Sequence, residues 1–81
     1  MIVRILYFAS LKDRAGASEE TLEVPETCDV AGLWAIVQER HPRVREMTTR
    51  PLVACDMAYA PWDRPLGGIL EVAFLPPVSG G

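Results

Sequence analysis

The last six residues, PPVSGG, end in the group whose type and position point most clearly to chemistry, the terminal carboxylate of Gly81. A terminal carboxylate has a pKa of about 3.3–3.7, so it is ionised at neutral pH and is a poor electrophile. Conversion to an acyl-adenylate would activate its carbonyl, and attack there would yield either a thiocarboxylate or an isopeptide bond to a lysine. The sequence therefore predicts a carrier or a tag, with Gly80 and Gly81 at its reactive end.

The residues before this carboxylate are suited to entering the active site of another protein. Pro76 and Pro77 fix their backbone φ and so remove part of the entropy cost of ordering the segment. Val78 supplies a small apolar anchor, Ser79 follows it, and the two glycines lack side chains that would block a narrow channel. Fully extended, the six residues span at most about 20 Å. We predict that this segment is a tail that partner proteins bind.

The remaining candidates for chemistry favour structural roles. His41 stands at a predicted helix end, where it would offset the negative end of the helix dipole. Cys28 and Cys55 are far apart and in no CxxC pattern, so they form neither a metal site nor a disulfide framework by themselves. The sequence contains no GxxxxGK[ST] phosphate loop and no acidic pair spaced for acid–base catalysis. We therefore expect the chain to bind no cofactor, and we expect a partner to perform any ATP-dependent step.

The composition indicates one small globular domain. The chain has 81 residues, 49% hydrophobic and 23% charged, which suffices for a single core. Its net charge of -3 argues against a nucleic-acid-binding protein. Reduced cysteines and the lack of a signal or membrane-spanning stretch predict a cytoplasmic location without membrane association. One local basic cluster is predicted to be a solvated face or, if functional, to meet an acidic partner: Arg40, His41, Arg43, Arg45 and Arg50.

Hydrophobic periodicity predicts the strands that position the tail. MIVRILYFAS predicts a central strand, because Val3, Ile5 and Tyr7 share one face and the other face is apolar except at Arg4. Alternation over residues 19–24 predicts a second strand with one solvated face. Further strands are predicted over residues 51–57 and 70–75, the latter with Leu70, Val72 and Phe74 on one face.

One long helix is predicted between these strand pairs. Asp29 is its expected N-cap and Pro42 its stop, with apolar residues at Val30, Leu33, Trp34 and Val37. Gly32, inside the helix, would be explained by a close approach of the helix to the sheet. A short helical turn is also predicted after the first strand, capped by Ser10 and closed by Gly16.

The order strand, strand, helix, strand, strand predicts an α+β fold, the β-grasp or ubiquitin-like fold. This fold has a mixed sheet of about four to five strands, with the last strand parallel to the first in the centre and one main helix on one face. A split βαβ arrangement is the alternative, but it needs a second full helix, which residues 43–50 hardly supply. We assign residues 1–75 to the β-grasp domain and residues 76–81 to an extended tail.

Three segments carry a resemblance to a known family: ILYFASLKDRAG, LVACDMAYAPWDRPL and the terminal EVAFLPPVSGG. They resemble the small subunit of molybdopterin synthase, the MoaD family of ubiquitin-like sulfur carriers. The resemblance implies that an E1-like, ATP-using enzyme of the MoeB type adenylates Gly81, and that a sulfur donor then converts it to a thiocarboxylate. It further implies that the tail enters a large subunit of the MoaE type, which supplies the catalytic groups and converts cyclic pyranopterin monophosphate to molybdopterin. The implied assembly is a heterotetramer of two small and two large subunits, in which this chain is a non-catalytic sulfur donor.

Four positions match positions of the family, three of them in its hydrophobic contact patch near the tail. Phe8, Tyr59 and Leu75 correspond to its hydrophobic contact patch, and Lys12 corresponds to a basic position after the first strand. From the pattern alone, Phe8 and Leu75 are equally consistent with ordinary core positions.

The chain departs from the family pattern at two places. Ile69 and Leu70 stand where a Gly-Asp pair is usual, and Asp56 stands where an asparagine is usual. These changes concern the turn into the last strand, and they leave the tail chemistry untouched.

Three other functions remain open from the residues themselves. The first is a sulfur carrier for thiamine synthesis or tRNA thiolation, the second is a ubiquitin-like protein modifier, and the third is a β-grasp interaction module without tail chemistry. Lys12 is the only lysine, which leaves little scope for chains of this protein linked to itself.

Overall fold

The computed structural model describes residues 1–77, in which five strands form one mixed sheet. The strands are β1 (Ile2–Tyr7), β2 (Glu19–Glu23), β3 (Leu52–Cys55), β4 (Ala58–Tyr59) and β5 (Glu71–Leu75). Their order in the sheet is β2-β1-β5-β3-β4, with β1 and β5 parallel and every other neighbouring pair antiparallel. The helices are α1 (Ser10–Ala15), α2 (Val30–Arg40) and α3 (Pro42–Arg45). A hairpin, a crossing helix and a central parallel pair constitute the predicted β-grasp fold, so that prediction is confirmed.

The core lies between α2 and one face of the sheet. Alternation along β1 buries Val3, Ile5 and Tyr7 on that face, as the sequence predicts. The helix contributes its apolar stripe, Val30, Leu33, Trp34 and Val37, each no more than 5% exposed. No helix within residues 1–77 is long and apolar enough to cross a membrane.

The N-terminus of α2 is held by its predicted cap. The Asp29 Oδ1 atom accepts a hydrogen bond from the Gly32 backbone N–H at 2.8 Å. A Cβ on Gly32 would lie 3.1 Å from Cys28 Sγ and 3.2 Å from Asp29 Oδ1. Gly32 therefore makes room for the residues of the cap, and the expected explanation by a close approach to the sheet is wrong.

Of the two residues predicted to cap α1, the prediction is confirmed for Gly16 and is wrong for Ser10. Gly16 closes α1 in the left-handed conformation, with its N–H donating to the Lys12 carbonyl, as predicted. Ser10 is the first helical residue and not the cap, since Ala9 occupies the N-cap position and makes no side-chain capping bond. The backbone of Ala9 has a φ of 51°, a region that L-residues seldom adopt.

The strand predicted over residues 51–57 is interrupted by a tight turn. Asp56 and Met57 have φ values of 47° and 72°, so the chain reverses at these two residues and returns as β4. Non-glycine residues rarely adopt this conformation, which is why the turn and β4 were not predicted.

Asp56 also sets where β5 begins. Its Oδ1 atom accepts hydrogen bonds from the backbone N–H groups of Leu70 at 3.1 Å and Glu71 at 2.9 Å. Leu70 consequently lies outside the strand and is 76% exposed, so its predicted place beside Val72 and Phe74 is wrong. The buried residue at this turn is Ile69. The two departures, at Asp56 between β3 and β4 and at Ile69 and Leu70 before β5, are thus joined by one hydrogen-bonded contact.

Candidate functional site

The predicted tail leaves the sheet from its central strand. β5 pairs with β1 on one side, as far as Phe74, and with β3 on the other side, as far as Leu75. Pro76 is half-buried and Pro77 is exposed. The other predicted site residues, Val78, Ser79, Gly80 and Gly81, lie outside the described residues. The sheet therefore provides a rigid root for the segment that carries the terminal carboxylate.

Aromatic packing reinforces this root on the core side. Phe74 is completely buried, and its ring centroid lies 5.0 Å from that of Trp34 and 6.4 Å from that of Trp62. The Arg50 guanidinium carbon lies 4.6 Å from the centroid of Trp62, in a cation–π contact. The loop that carries Trp62 is thereby attached to the strand that leads into the tail.

The sheet face opposite α2 carries an apolar patch at the end where the tail begins. We call it the open-face patch and define it as Leu6, Phe8, Leu52, Tyr59 and Leu75. The strand register links its members: Leu6 faces Ala73, Ala73 faces Ala54, and Ala54 faces Tyr59, while Leu52 faces Leu75. Phe8, Leu52 and Tyr59 are 44%, 39% and 76% exposed. Apolar side chains grouped in this way on a solvated sheet face indicate a protein-binding surface.

Charged residues bound this patch toward the other end of the sheet. Arg4 forms an ion pair with Glu71 directly across the parallel strands, and its Nε atom lies 3.9 Å from Glu19 Oε2. The Glu71 partner raises the pKa of Arg4 through a hydrogen bond and Coulombic attraction. The ion pair therefore bounds the patch, and exposed Met57 and Leu70 lie around a depression with it.

The structure places Phe8, Tyr59 and Leu75 on the open face, and their role in partner binding stays a prediction. Lys12 lies with Phe8 around a shallow depression of about 450 Å³ beside the patch. Leu6 and Leu52 were not singled out from the sequence. Their alternation with the buried residues of β1 and β3 is the signal that could have identified them.

A polar cluster connects the end of α2 to the hairpin of β1 and β2. The Tyr7 hydroxyl donates to Glu20 Oε2 at 2.5 Å, and His41 Nε2 lies 2.5 Å from the same oxygen. Arg40 Nε donates to the other carboxylate oxygen of Glu20 at 3.2 Å. His41 is the residue after α2, as expected, and its side chain is used to bind Glu20. The cluster fixes the helix end to the sheet through the carboxylate of Glu20.

The ionisation of this cluster follows from its contacts. Burial and the hydrogen bond to Glu20 both raise the pKa of Tyr7 far above its usual value. Burial also acts to raise the pKa of Glu20, but the hydrogen bonds of Tyr7 and His41 outweigh it, and the net shift is downward. Glu20 is therefore a carboxylate in the folded protein near neutral pH.

We expect Glu20 to contribute stability that is lost in acid. Because its pKa is lower in the folded than in the unfolded protein, its contribution is complete above the unfolded value of about 4.3 and disappears as the pH falls through the folded value. Urea unfolding of the wild type and Glu20→Gln at neutral and acidic pH should give a difference in unfolding free energy that shrinks in acid. Glu23→Gln, on the exposed face of the same strand, is the control and should show almost no difference at either pH. A pH-independent effect of Glu20→Gln would contradict the expectation.

The two cysteines are not activated nucleophiles. Burial raises the pKa of Cys28, and the charge of Asp29 raises it further, so the helix N-terminus does not produce a thiolate there. Burial raises the pKa of Cys55 as well, with Arg64 opposing and Asp56 adding to the shift. Cys55 is buried in the core as predicted. Within residues 1–77 no three His, Cys, Asp or Glu side chains are grouped as metal ligands.

Comparison with known proteins gives a consistent result. The pattern of the ThiS family matches residues 5–81. A molybdopterin synthase sulfur carrier subunit from Caenorhabditis briggsae is 36% identical over 81 residues, which cover 98% of this chain and 96% of that protein.

Two solved structures extend the similarity to the fold and to a complex. A putative molybdopterin converting factor subunit 1 from Pyrococcus furiosus has a TM-score of 0.83 at 30% identity, covering 96% of this chain and 99% of its own. A structure of subunits 1 and 2 of the molybdopterin-converting factor from Helicobacter pylori, a protein–protein complex, contains a chain with a TM-score of 0.69 at 25% identity, with full coverage of both chains. The shared features span the whole domain and the segment that follows β5.

Proposed function

This chain belongs to the ThiS family, and from that premise we propose that it acts as the sulfur-carrier small subunit of molybdopterin synthase. The observation that carries the proposal is the central strand β5, which is held on both edges and leads directly into PPVSGG. The relative from Caenorhabditis briggsae is a molybdopterin synthase sulfur carrier subunit and aligns with nearly the whole of this chain. This similarity supports molybdopterin synthesis over the thiamine and tRNA pathways.

The proposed cycle begins with activation of Gly81 by an E1-like partner of the MoeB type. The Gly81 carboxylate attacks the α-phosphate of ATP, which forms the acyl-adenylate and releases pyrophosphate. A hydrosulfide-level donor then attacks the acyl carbon, a C–S bond forms, and AMP leaves with the electron pair of the broken C–O bond. The product is the Gly81 thiocarboxylate. ATP and the sulfur donor are bound by partners, and this chain itself binds no cofactor.

The second half of the cycle takes place in a large subunit of the MoaE type. There the thiocarboxylate sulfur attacks a side-chain carbon of cyclic pyranopterin monophosphate and displaces an oxygen substituent, which forms a thioester. Water cleaves the acyl C–S bond of this thioester, which leaves the sulfur on the pterin and restores the Gly81 carboxylate, and a second delivery completes the dithiolene of molybdopterin. The catalytic side chains belong to the large subunit. The open-face patch, with exposed Phe8 and Tyr59 and half-buried Leu75, is the surface that docks on it. The subunits of the Helicobacter pylori relative form a complex, which supports such a partner.

We further propose that two small and two large subunits form the assembly and that the reaction takes place in the cytoplasm. The cytoplasmic location follows from the ATP-dependent activation step. The free thiols of Cys28 and Cys55 are consistent with this reducing compartment.

Co-purification with intact-mass analysis tests this function. The chain, tagged at its N-terminus and expressed in its own cells, should retain the large subunit and should carry one sulfur in place of one oxygen at Gly81. An unmodified terminus in cells that contain an active MoeB-type enzyme would overturn the carrier function. Thiocarboxylate without a bound large subunit would favour another thiolation pathway, and attachment of Gly81 to lysines of other proteins would favour a modifier.

A further inference from the structure

A small groove lies beside the root of the tail. Its lining residues come from α1, from the connection between α3 and β3, and from the end of the described chain: Ser10, Arg14, Met47, Thr48, Thr49 and Pro77. Its volume is about 180 Å³, too small for a nucleotide but sufficient for a side chain. We call it the tail-root groove. It is distinct from the open-face patch, with which it shares no residue.

Arg14 gives the groove an uncompensated positive charge. The Nη1 atom of Arg14 donates to the backbone carbonyl of Arg43 at 2.7 Å, which holds the side chain against α3. No carboxylate of residues 1–77 lies within ion-pair distance of Arg14. A guanidinium has five N–H donors and stays protonated, so the donors beyond this one bond are available for an anion. The hydroxyl groups of Ser10, Thr48 and Thr49 add further donors to the same groove.

The segments that supply five of the six residues lining this groove are richer in cationic side chains than the rest of the chain. Residues 10–15 and 42–51 carry five cationic and two acidic side chains, whereas the remainder of the chain carries three cationic and nine acidic ones. A protein of net charge -3 thus presents a basic surface where its tail begins. Such a local field attracts an acidic surface and sets the orientation in which it approaches.

The length of the tail restricts what can face the groove. Gly81 is four residues beyond Pro77, so its carboxylate can reach at most about 14 Å from the groove. A protein that binds Gly81 in its active site must therefore bring the rim of that site close to the tail root. Of all the partner's surfaces, this rim would then lie nearest to Arg14, whose guanidinium has no ion-pair partner within residues 1–77.

We propose that the tail-root groove binds a carboxylate side chain on the rim of the active site that receives the tail, with Arg14 as the main donor. This inference rests on the proposed carrier function and deepens it, because it assigns a polar contact that acts together with the open-face patch. A nucleotide is disfavoured by the size of the groove, and a nucleic acid is disfavoured by the acidic charge of the rest of the chain.

The test compares Arg14→Gln with Arg64→Gln in the full-length chain. Arg64 is a matched control because its Nη1 atom also donates to a backbone carbonyl, that of Pro65 at 2.9 Å, at the opposite end of the sheet near the start of α2. Each variant is titrated with the purified large subunit and is assayed for ATP–pyrophosphate exchange with the adenylating enzyme, at low and at high salt. Arg14→Gln should weaken the affinity for at least one of these proteins about tenfold at low salt, and should reduce its salt dependence. Arg14→Lys should recover part of the loss, because it keeps the charge without the guanidinium fork.

The outcomes separate this inference from the function on which it rests. Thermal unfolding identifies any variant that has lost its fold. If wild-type Gly81 carries a thiocarboxylate and Arg14→Gln matches Arg64→Gln with both proteins, the groove has no such role and the carrier function stands. If wild-type Gly81 carries no thiocarboxylate, both proposals fail.

Discussion

Deletion of Gly81 should abolish the proposed sulfur transfer and leave the free energy of unfolding nearly unchanged. The chemistry requires a carboxylate at the tip of the tail, and without Gly81 the carboxylate moves back by about 3.5 Å, one residue of extended chain. The described core is complete before the tail, since β5 ends at Leu75 and its last fully buried residue is Phe74. Sulfur transfer is measured by a single-turnover reaction with cyclic pyranopterin monophosphate in the presence of the large subunit. The free energy of unfolding is measured by urea denaturation.

Two companion variants show whether length or composition is responsible. Adding one alanine after Gly81 moves the carboxylate forward and should abolish transfer equally. Ser79→Ala keeps the length of the tail and should keep most of the activity. Substantial sulfur transfer by the Gly81 deletion variant would contradict the carrier role. A loss of several kcal/mol of unfolding free energy would show that the end of the chain is part of the packed structure.

Phe74→Ala should destabilise the domain by about 3–5 kcal/mol, the usual cost of replacing a buried phenylalanine by alanine. Small domains have a total unfolding free energy of about 5–15 kcal/mol, so this single change would remove a large share of it. Phe74 pairs with Tyr7 on β1 and Val53 on β3, and its ring packs on Trp34. Its removal leaves a cavity at the point where three strands and the main helix meet. Urea denaturation monitored by tryptophan fluorescence measures the effect.

Phe8→Ala is the matched control for this prediction. Phe8 is a phenylalanine at the same end of the sheet, but it is 44% exposed on the open face. Its removal should change the unfolding free energy by less than about 1 kcal/mol and should weaken binding of the large subunit about tenfold or more. Equal destabilisation by both variants would show that Phe8 belongs to the core, and unchanged binding would remove it from the docking surface.

The elements predicted correctly are those in which local pattern and tertiary packing agree. In β1 the period of two places Val3, Ile5 and Tyr7 on the buried face, and in α2 the period of 3.6 does the same for its apolar stripe. Asp29 is recognisable as a cap because its carboxylate bonds to backbone groups only three residues away. Such interactions involve near neighbours in the chain, so the sequence contains both partners within one short window.

The errors occur where distant residues decide the structure. Asp56 forms a tight turn with positive φ and accepts bonds from Leu70 and Glu71, fourteen and fifteen residues away. This contact starts β5 one residue later than the hydrophobic pattern predicts and leaves Leu70 exposed. Ser10 has the residue type of a cap, but the chain enters α1 through Ala9 instead.

By itself, the sequence determined the order of the main elements, the β-grasp arrangement and the buried stripe of α2, and it predicted a reactive carboxylate at Gly81. The tertiary structure decided which surfaces surround the tail. One row of side chains crosses the open face only because β1, β5, β3 and β4 are neighbours in the observed register. The row consists of Leu6, Ala73, Ala54 and Tyr59. Arg14 meets Arg43 only because α1 packs against α3, twenty-nine residues further along the chain. Hydrophobic period and residue type report contacts between near neighbours, whereas a docking surface is assembled from segments that only the folded sheet brings together.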